Sequence, residues 1–189
     1  MNEQIEKLEE EILAKKKELA ELRRSTIATE VPDYELTGPD GETTRLSELF
    51  GEGRDLLVIH NMGRSCPYCT LWADGLNGVI EHLEDRTSLV LVSPDTPEVQ
   101  AEFAGSRGWK FRMLSGGDSD FTSEMGYSMD KDGETYYMPG ASGFRLGDDG
   151  KIRLVSSSFF GPGDDFCAVW HLYDLLEEGH AEWHPKFSY

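Results

Sequence analysis

The stretch LVIHNMGRSCPYCTLWADGL, Leu57–Leu76, carries two of the chain's three cysteines, Cys66 and Cys69, directly behind a short apolar run. Asp55–His60, DLLVIH, has the length and apolarity of a buried strand. After the cysteines the apolar spacing changes to three and four, through Trp72, Leu76, Val79, Ile80 and Leu83, which predicts helix. A strand that runs into a cysteine pair at the head of a helix leaves three chemistries open: a metal clip, a structural disulfide, or a dithiol that exchanges electrons.

A disulfide closing only Cys66 to Cys69 stabilises by roughly 2 kcal/mol at best on the chain-entropy model. Helical side chains three apart sit ~5–6 Å apart at Cβ, whereas a disulfide wants ~3.5–4.5 Å. Such a bridge is local and reducible, so stability is a weak reason for it. A closed zinc site needs four ligands, usually from two cysteine knuckles. Only one knuckle is present, and Cys167, His60, His82 and His171 show no local metal-ligand spacing that would complete it. No metal is expected.

The dithiol reading fits the local physics best. Pro67 suits the first helical turn, where its missing N–H would have no partner. Cys66 then sits at the helix N-terminus, where free N–H groups and the macrodipole favour an anion and lower a thiol pKa. Arg64 adds nearby positive charge, and Cys69, further inside, should stay a thiol. Thiol–disulfide exchange needs this asymmetry, a thiolate to attack and a thiol to resolve. His60, at the end of the strand, is a candidate for assisting proton transfer, set against a hydrogen-bonded core histidine. His171 has the same two readings. Cys167 reads as a small buried apolar residue, and Trp72 as core.

Residues 3–24 read as one helix whose Ile5, Leu8, Ile12, Leu19 and Leu22 fall on an a/d heptad seam, and a homodimer through this helix is expected, with Lys15 at the seam favouring one register or an antiparallel arrangement. STIATEVPDYEL reads as a linker into a strand. Asp40-Gly41 predicts a turn between Tyr34–Leu36 and Thr43–Arg45, and LSELF one helical turn. Further strands are expected at Ser88–Ser93 and Lys110–Leu114, and helices opening at Thr96-Pro97 and near Ser119 or Asp120. Ser142–Ser157 reads as a hairpin around Asp149-Gly150. A last helix over Asp164–Leu176 has an apolar stripe of Phe166, Val169, Trp170, Tyr173 and Leu176. The aromatic C-terminal segment is expected to lie against the body. This order predicts an α/β fold, a mixed sheet flanked by helices, with two units: an amphipathic helix over 1–24 and a domain over 25–189.

The 189 residues carry a net charge of -18, which repels phosphate backbones and anionic membranes, so no nucleic-acid or membrane partner is expected. High-salt adaptation and an ordinary acidic protein both fit that surface. The charged N-terminus has no signal-peptide apolar region, and no apolar stretch approaches the ~20 residues of a membrane span. A cytoplasmic location is the expectation, and structural disulfides are rare there. SGGDSD, Ser115–Asp120, lacks the lysine of a phosphate-binding loop, and no cofactor is expected.

CPYC behind an apolar strand resembles the thioredoxin superfamily. ELRRSTIATEVPDYEL, CPYCTLWADGLNG, RGWKFRMLSGGDSDF and FGPGDDFCAVWHLYDLL resemble one branch of it, the predicted dithiol-disulfide oxidoreductases filed near the AhpC/TSA-type peroxiredoxins. The resemblance covers most of the chain. It implies a thioredoxin-like fold and a thiol-disulfide oxidoreductase in which Cys66 is nucleophile and Cys69 resolves, acting on protein or small-molecule disulfides. Two positions depart from the pattern. The cis-proline of thioredoxin-like sites falls near Ala141, and the nearest proline is Pro139. A peroxiredoxin carries Pro and Thr seven and three residues before its reactive cysteine, and before Cys66 these are Ile59 and Gly63. A peroxiredoxin-like thiol peroxidase is the runner-up. The third reading is an interaction module with non-catalytic cysteines that dimerises through its N-terminal helix.

Overall fold

A computed structural model describes residues 2–189. Helix α1 (Glu3–Ser25) starts under Asn2, whose side chain accepts the Gln4 N–H, and ends where Thr26 turns to extended backbone. There follow β1 (Thr29–Val31), β2 (Glu35–Thr37), β3 (Thr43–Arg45) and a 3-10 turn at Leu46–Phe50. The central run is β4 (Asp55–His60), α2 (Pro67–Gly78), α3 (Ile80–Glu84), β5 (Ser88–Ser93), α4 (Pro97–Arg107) and β6 (Arg112–Ser115). Then come α5 (Phe121–Glu124), a hairpin of β7 (Ser128–Lys131) and β8 (Glu134–Tyr137), β9 (Gly140–Leu146), β10 (Ile152–Phe159) and α6 (Ala168–Tyr173).

The main sheet runs β1-β10-β9-β4-β5-β6-β2-β3. Its centre is parallel, with Leu56 opposite Ser88 and His60 opposite Val92, while β9 runs antiparallel to β4 with His60 opposite Gly140. Side chains alternate across a strand, and this sorts β4 and β5 between two layers. Ile59, Leu89 and Leu91 pack with Trp72 and Ala73 of α2 and with Phe111, Phe160, Cys167 and Trp170. Val58, Val90, Val92, Leu114 and Phe144 pack on the other face with Leu46, Phe50 and Phe121. Each such fully buried side chain stabilises by about 1.5–3 kcal/mol, so both layers hold the sheet from which the cysteine helix departs.

The strands at Asp55–His60 and Ser88–Ser93, the LSELF turn, the helix opening at Pro97 and the hairpin around Asp149-Gly150 all form as expected. Four features differ. β6 starts at Arg112 rather than Lys110, because the Trp109 Nε1–H donates to Asp74 (2.8 Å) and the Lys110 N–H to Asn77 (2.8 Å), tying both residues to α2. The last helix is only Ala168–Tyr173, and Phe166 and Leu176 are exposed. Its start is delayed because the Asp164 carboxylate accepts the Gly161 and Phe166 N–H groups (2.8 and 2.7 Å), forming a turn in place of helix. The helical run after the cysteines is broken at Val79, which leaves α-helical geometry and is half exposed. The linker holds a strand, β1, which pairs with β10.

The β7–β8 hairpin has no counterpart in the sequence reading, although Asp132-Gly133 signals it: both residues have positive φ, 55° and 82°, as a tight hairpin turn requires. The C-terminal segment packs on the body, Trp183 against Trp170 (5.7 Å) and Phe187 against Phe103 (6.2 Å). No helix among the described residues is long and apolar enough to cross a membrane.

Candidate active site

The loop between β4 and α2 is shaped by short polar contacts. The Asn61 side chain accepts the Gly63 N–H (2.8 Å), and the Asp95 carboxylate accepts the Arg64 N–H (2.7 Å). Gly63 has φ +98°, and a Cβ there would lie 2.9 Å from an Asp95 oxygen. The Cys66 N–H then donates to the Gly63 carbonyl (3.2 Å). Only glycine meets both demands. Gly63→Ala is expected to cost about 1–2 kcal/mol from the left-handed backbone alone, read as a lowered urea midpoint with unchanged slope.

The loop delivers Cys66 to the N-cap of α2, with Pro67 at the first helical position. The Cys66 sulfur does what a capping oxygen does elsewhere, accepting the Cys69 N–H at 3.1 Å. Thr70 closes the turn, its hydroxyl donating to the Cys66 carbonyl (3.0 Å). Cys66 is half-buried and Cys69 fully buried, and both are free thiols. A hydrogen bond from the Cys69 side chain lowers the Cys66 thiol pKa to about 6, outweighing partial burial, with help from the Cys69 and Tyr68 N–H groups. The same hydrogen bond, together with burial and the charge on Cys66, pushes the Cys69 thiol strongly up. The pair is one thiolate and one thiol.

Arg64 does not take part in this. It is exposed, and Cys66 is lowered by Cys69 and backbone N–H groups rather than by a guanidinium. His60 also departs from a supporting role. It lies on the same face of β4 as Val58, the face opposite α2. There it stacks on Tyr127 (3.7 Å, 10° between planes) and Phe121 (5.5 Å). Its Nε2 meets the Ser142 hydroxyl at 2.9 Å and its Nδ1 has no partner. Burial lowers it to about 3, so it is neutral at physiological pH. It is a core histidine, as the alternative reading had it. His171 is hydrogen-bonded to the Asp164 carbonyl (2.9 Å) but lies at the surface, not in the core. Cys167 is buried beside Trp72 and Trp170, and burial raises its thiol.

Asp95 and His184 join the surroundings of the pair from remote segments. Asp95 holds the loop from beyond β5. Tyr68, inside CPYC, stacks on Trp170 (6.1 Å) and shares a hydrogen bond with His184 of the C-terminal segment (2.9 Å). Near Ala141, where the resemblance places a cis-proline, Gly140 and Ala141 stand opposite His60 and Ile59 at the end of β4, and no cis peptide occurs among the described residues. No local pattern marks Asp95 or His184, because each acts across more than thirty residues.

With its pKa near 6, Cys66 is expected to be alkylated by iodoacetamide at a rate that climbs about tenfold per pH unit below 6 and levels off above. Peptide mapping at pH 7 should find Cys66 labelled well before Cys69 and Cys167; preferential labelling of Cys69 reverses the assignment.

The family model described as bacterial protein of unknown function (DUF899) matches residues 2–188. No curated protein matches the sequence. Solved structures share the fold. Peroxidoxin BcpB from Mycobacterium tuberculosis is 24% identical with a TM-score of 0.54, over 66% of this chain and 80% of that one. Reduced Prx3 in complex with H2O2 from Vibrio vulnificus is 20% identical, TM-score 0.59, over 74% and 91%. A peroxiredoxin-like protein from Aquifex aeolicus is 14% identical, TM-score 0.57, over 71% and 75%. The architecture is the thioredoxin-like fold of the peroxiredoxins, preceded here by α1.

Proposed function

The chain belongs to the DUF899 family, and we propose that it is a thiol-disulfide oxidoreductase in which Cys66 attacks and Cys69 resolves. The observation that carries this is the Cys66 sulfur held as N-cap, 3.1 Å from the Cys69 N–H, with a buried thiol behind it. The Cys66 thiolate attacks one sulfur of a substrate disulfide. The substrate S–S bond breaks, a mixed disulfide forms, and the departing thiolate takes a proton from water. Cys66 is then neutral, so the charge that pinned the Cys69 proton is gone. The Cys69 thiol loses its proton and attacks the Cys66 sulfur, releasing the second substrate thiol. Two electrons pass to the substrate, and an external dithiol must return Cys66 and Cys69 to the reduced state. Because the thiolate stabilises the reduced form, transfer of electrons to the substrate is driven by an excess of substrate disulfide.

The test is reduction of oxidised glutathione by the pre-reduced protein. The expected result, with oxidised glutathione in excess, is two molecules of reduced glutathione per chain and, in the peptide map, a Cys66–Cys69 disulfide in place of the two protein thiols. Absence of both, with ordinary thiol pKa values on titration, leaves the interaction-module reading.

A thiol peroxidase is the second reading, favoured by the peroxiredoxin fold of the solved structures and by the low pKa of Cys66. Gly63 and Ile59 stand where that chemistry places a hydroxyl and a proline. Peroxide consumption by the reduced protein that outpaces disulfide reduction would favour it.

A further inference from the structure

We propose that α1 is the interface of a homodimer, packed antiparallel against α1 of a second copy. No residue of α1 is buried. Ile5, Leu8, Ile12, Leu19 and Leu22 are each 47–57% exposed. The helix meets its own body along one edge of that stripe, leaving the stripe itself open: Lys16 pairs with Asp165 (2.6 Å), and Ala20 and Arg23 are half-buried. A lone helix of this length is marginal in water, so the stripe needs a partner.

The charges choose the partner and its direction. Glu3–Glu11 holds five carboxylates and one lysine, while residues 12–25 hold five cations and two carboxylates. A parallel pair would set like charge against like along the whole helix. An antiparallel pair sets the acidic half of each helix on the basic half of the other, and opposes the two helix dipoles favourably. It also seats the two acidic bodies on the C-terminal halves of the two helices, on either side of the two-fold axis.

The apolar register is self-complementary in that direction. With the two-fold axis between Leu13 and Ala14, Ile5 meets the partner's Leu22, Leu8 meets the partner's Leu19, and Ile12 meets the stem of the partner's Lys15. Every layer joins an a position to a d position, as antiparallel coiled coils do. Glu9 comes beside the partner's Lys16. Glu11 and the partner's Glu18 also come together, but each already has a cation on its own helix, Lys7 at 3.8 Å and Lys15 at 2.7 Å.

Sedimentation equilibrium of the full chain at tens of micromolar is expected to give twice the 21.2 kDa chain mass. Leu8→Glu/Leu19→Glu, at two exposed positions, should give a folded monomer. A monomeric parent, or a double variant that stays dimeric, overturns the proposal. Direction is read in a Cys66→Ser/Cys69→Ser background, where Cys167 is buried. An Ile5→Cys chain mixed with a Leu22→Cys chain should cross-link on oxidation. Neither alone should, since identical positions lie about 25 Å apart along the axis. Cross-linking of each variant with itself overturns the antiparallel arrangement. None of these readouts depends on redox activity.

Discussion

Cys66→Ser is expected to abolish disulfide exchange, and Cys69→Ser to stop it halfway. At pH 7 a thiol with a pKa of about 6 is mostly thiolate, whereas an ordinary thiol is only a few per cent ionised. The two cysteines left in Cys66→Ser are both buried, and burial alone raises both thiols. Exchange with oxidised glutathione should therefore fall by about 100-fold or more. Cys69→Ser keeps the nucleophile and its Cys69-position backbone N–H but lacks the resolving sulfur. It should accumulate one glutathione per chain on Cys66, seen by intact mass and peptide mapping. Unimpaired turnover by Cys69→Ser would remove Cys69 from the mechanism; full exchange by Cys66→Ser would remove Cys66.

Phe121→Ala is expected to be the most damaging core truncation. Phe121 is fully buried and supplies the main apolar anchor of α5, a helix of four residues. It meets Tyr34 edge-on (5.2 Å), the His60 ring (5.5 Å) and Phe144 (6.1 Å). The Tyr34 hydroxyl reaches Glu124 at the other end of the same turn. Removing the ring loses transfer energy and leaves a cavity, at a cost of about 3–5 kcal/mol. For a chain of this size that lowers Tm by roughly 6–20 °C. Phe121→Leu should cost under about 1.5 kcal/mol, and a comparable loss in both variants would show that ring volume is not what matters.

His60 gives the same layer a pH dependence. Its folded pKa is about 3, below the free value of 6.5. Between those values the unfolded chain binds a proton that the native chain refuses. Its contribution is therefore complete above about pH 6.5 and is lost progressively as pH falls toward 3.

Much of the architecture could be read from local pattern. Asp55–His60 and Ser88–Ser93 are apolar runs of strand length, and they form the parallel centre of the sheet. Pro67 has one comfortable place in a helix, the first position, and this puts Cys66 at the cap. Asp149-Gly150 sets its hairpin. Each of these depends on neighbours within about four residues, the range over which backbone hydrogen bonding and turn chemistry act. The thioredoxin-like fold could be expected from such elements taken in order.

Other features had no local cause. His60 and Cys66 are six residues apart, yet the alternation of β4 sends His60 to the face where Tyr127 waits, away from α2. The last helix is short because Asp164 takes the Gly161 and Phe166 N–H groups, a competition that helical periodicity does not register. The Cys66 thiol owes its pKa first to Cys69 and not to Arg64, because a directly donated hydrogen bond outweighs an exposed charge screened by water. Where strand, cap and cysteine pair lie along the chain follows from local pattern, since propensity and period are properties of adjacent residues. Which side chains surround that pair follows from the fold, because Asp95, Trp170 and His184 are brought to its loop and helix by packing between segments that are remote in the chain.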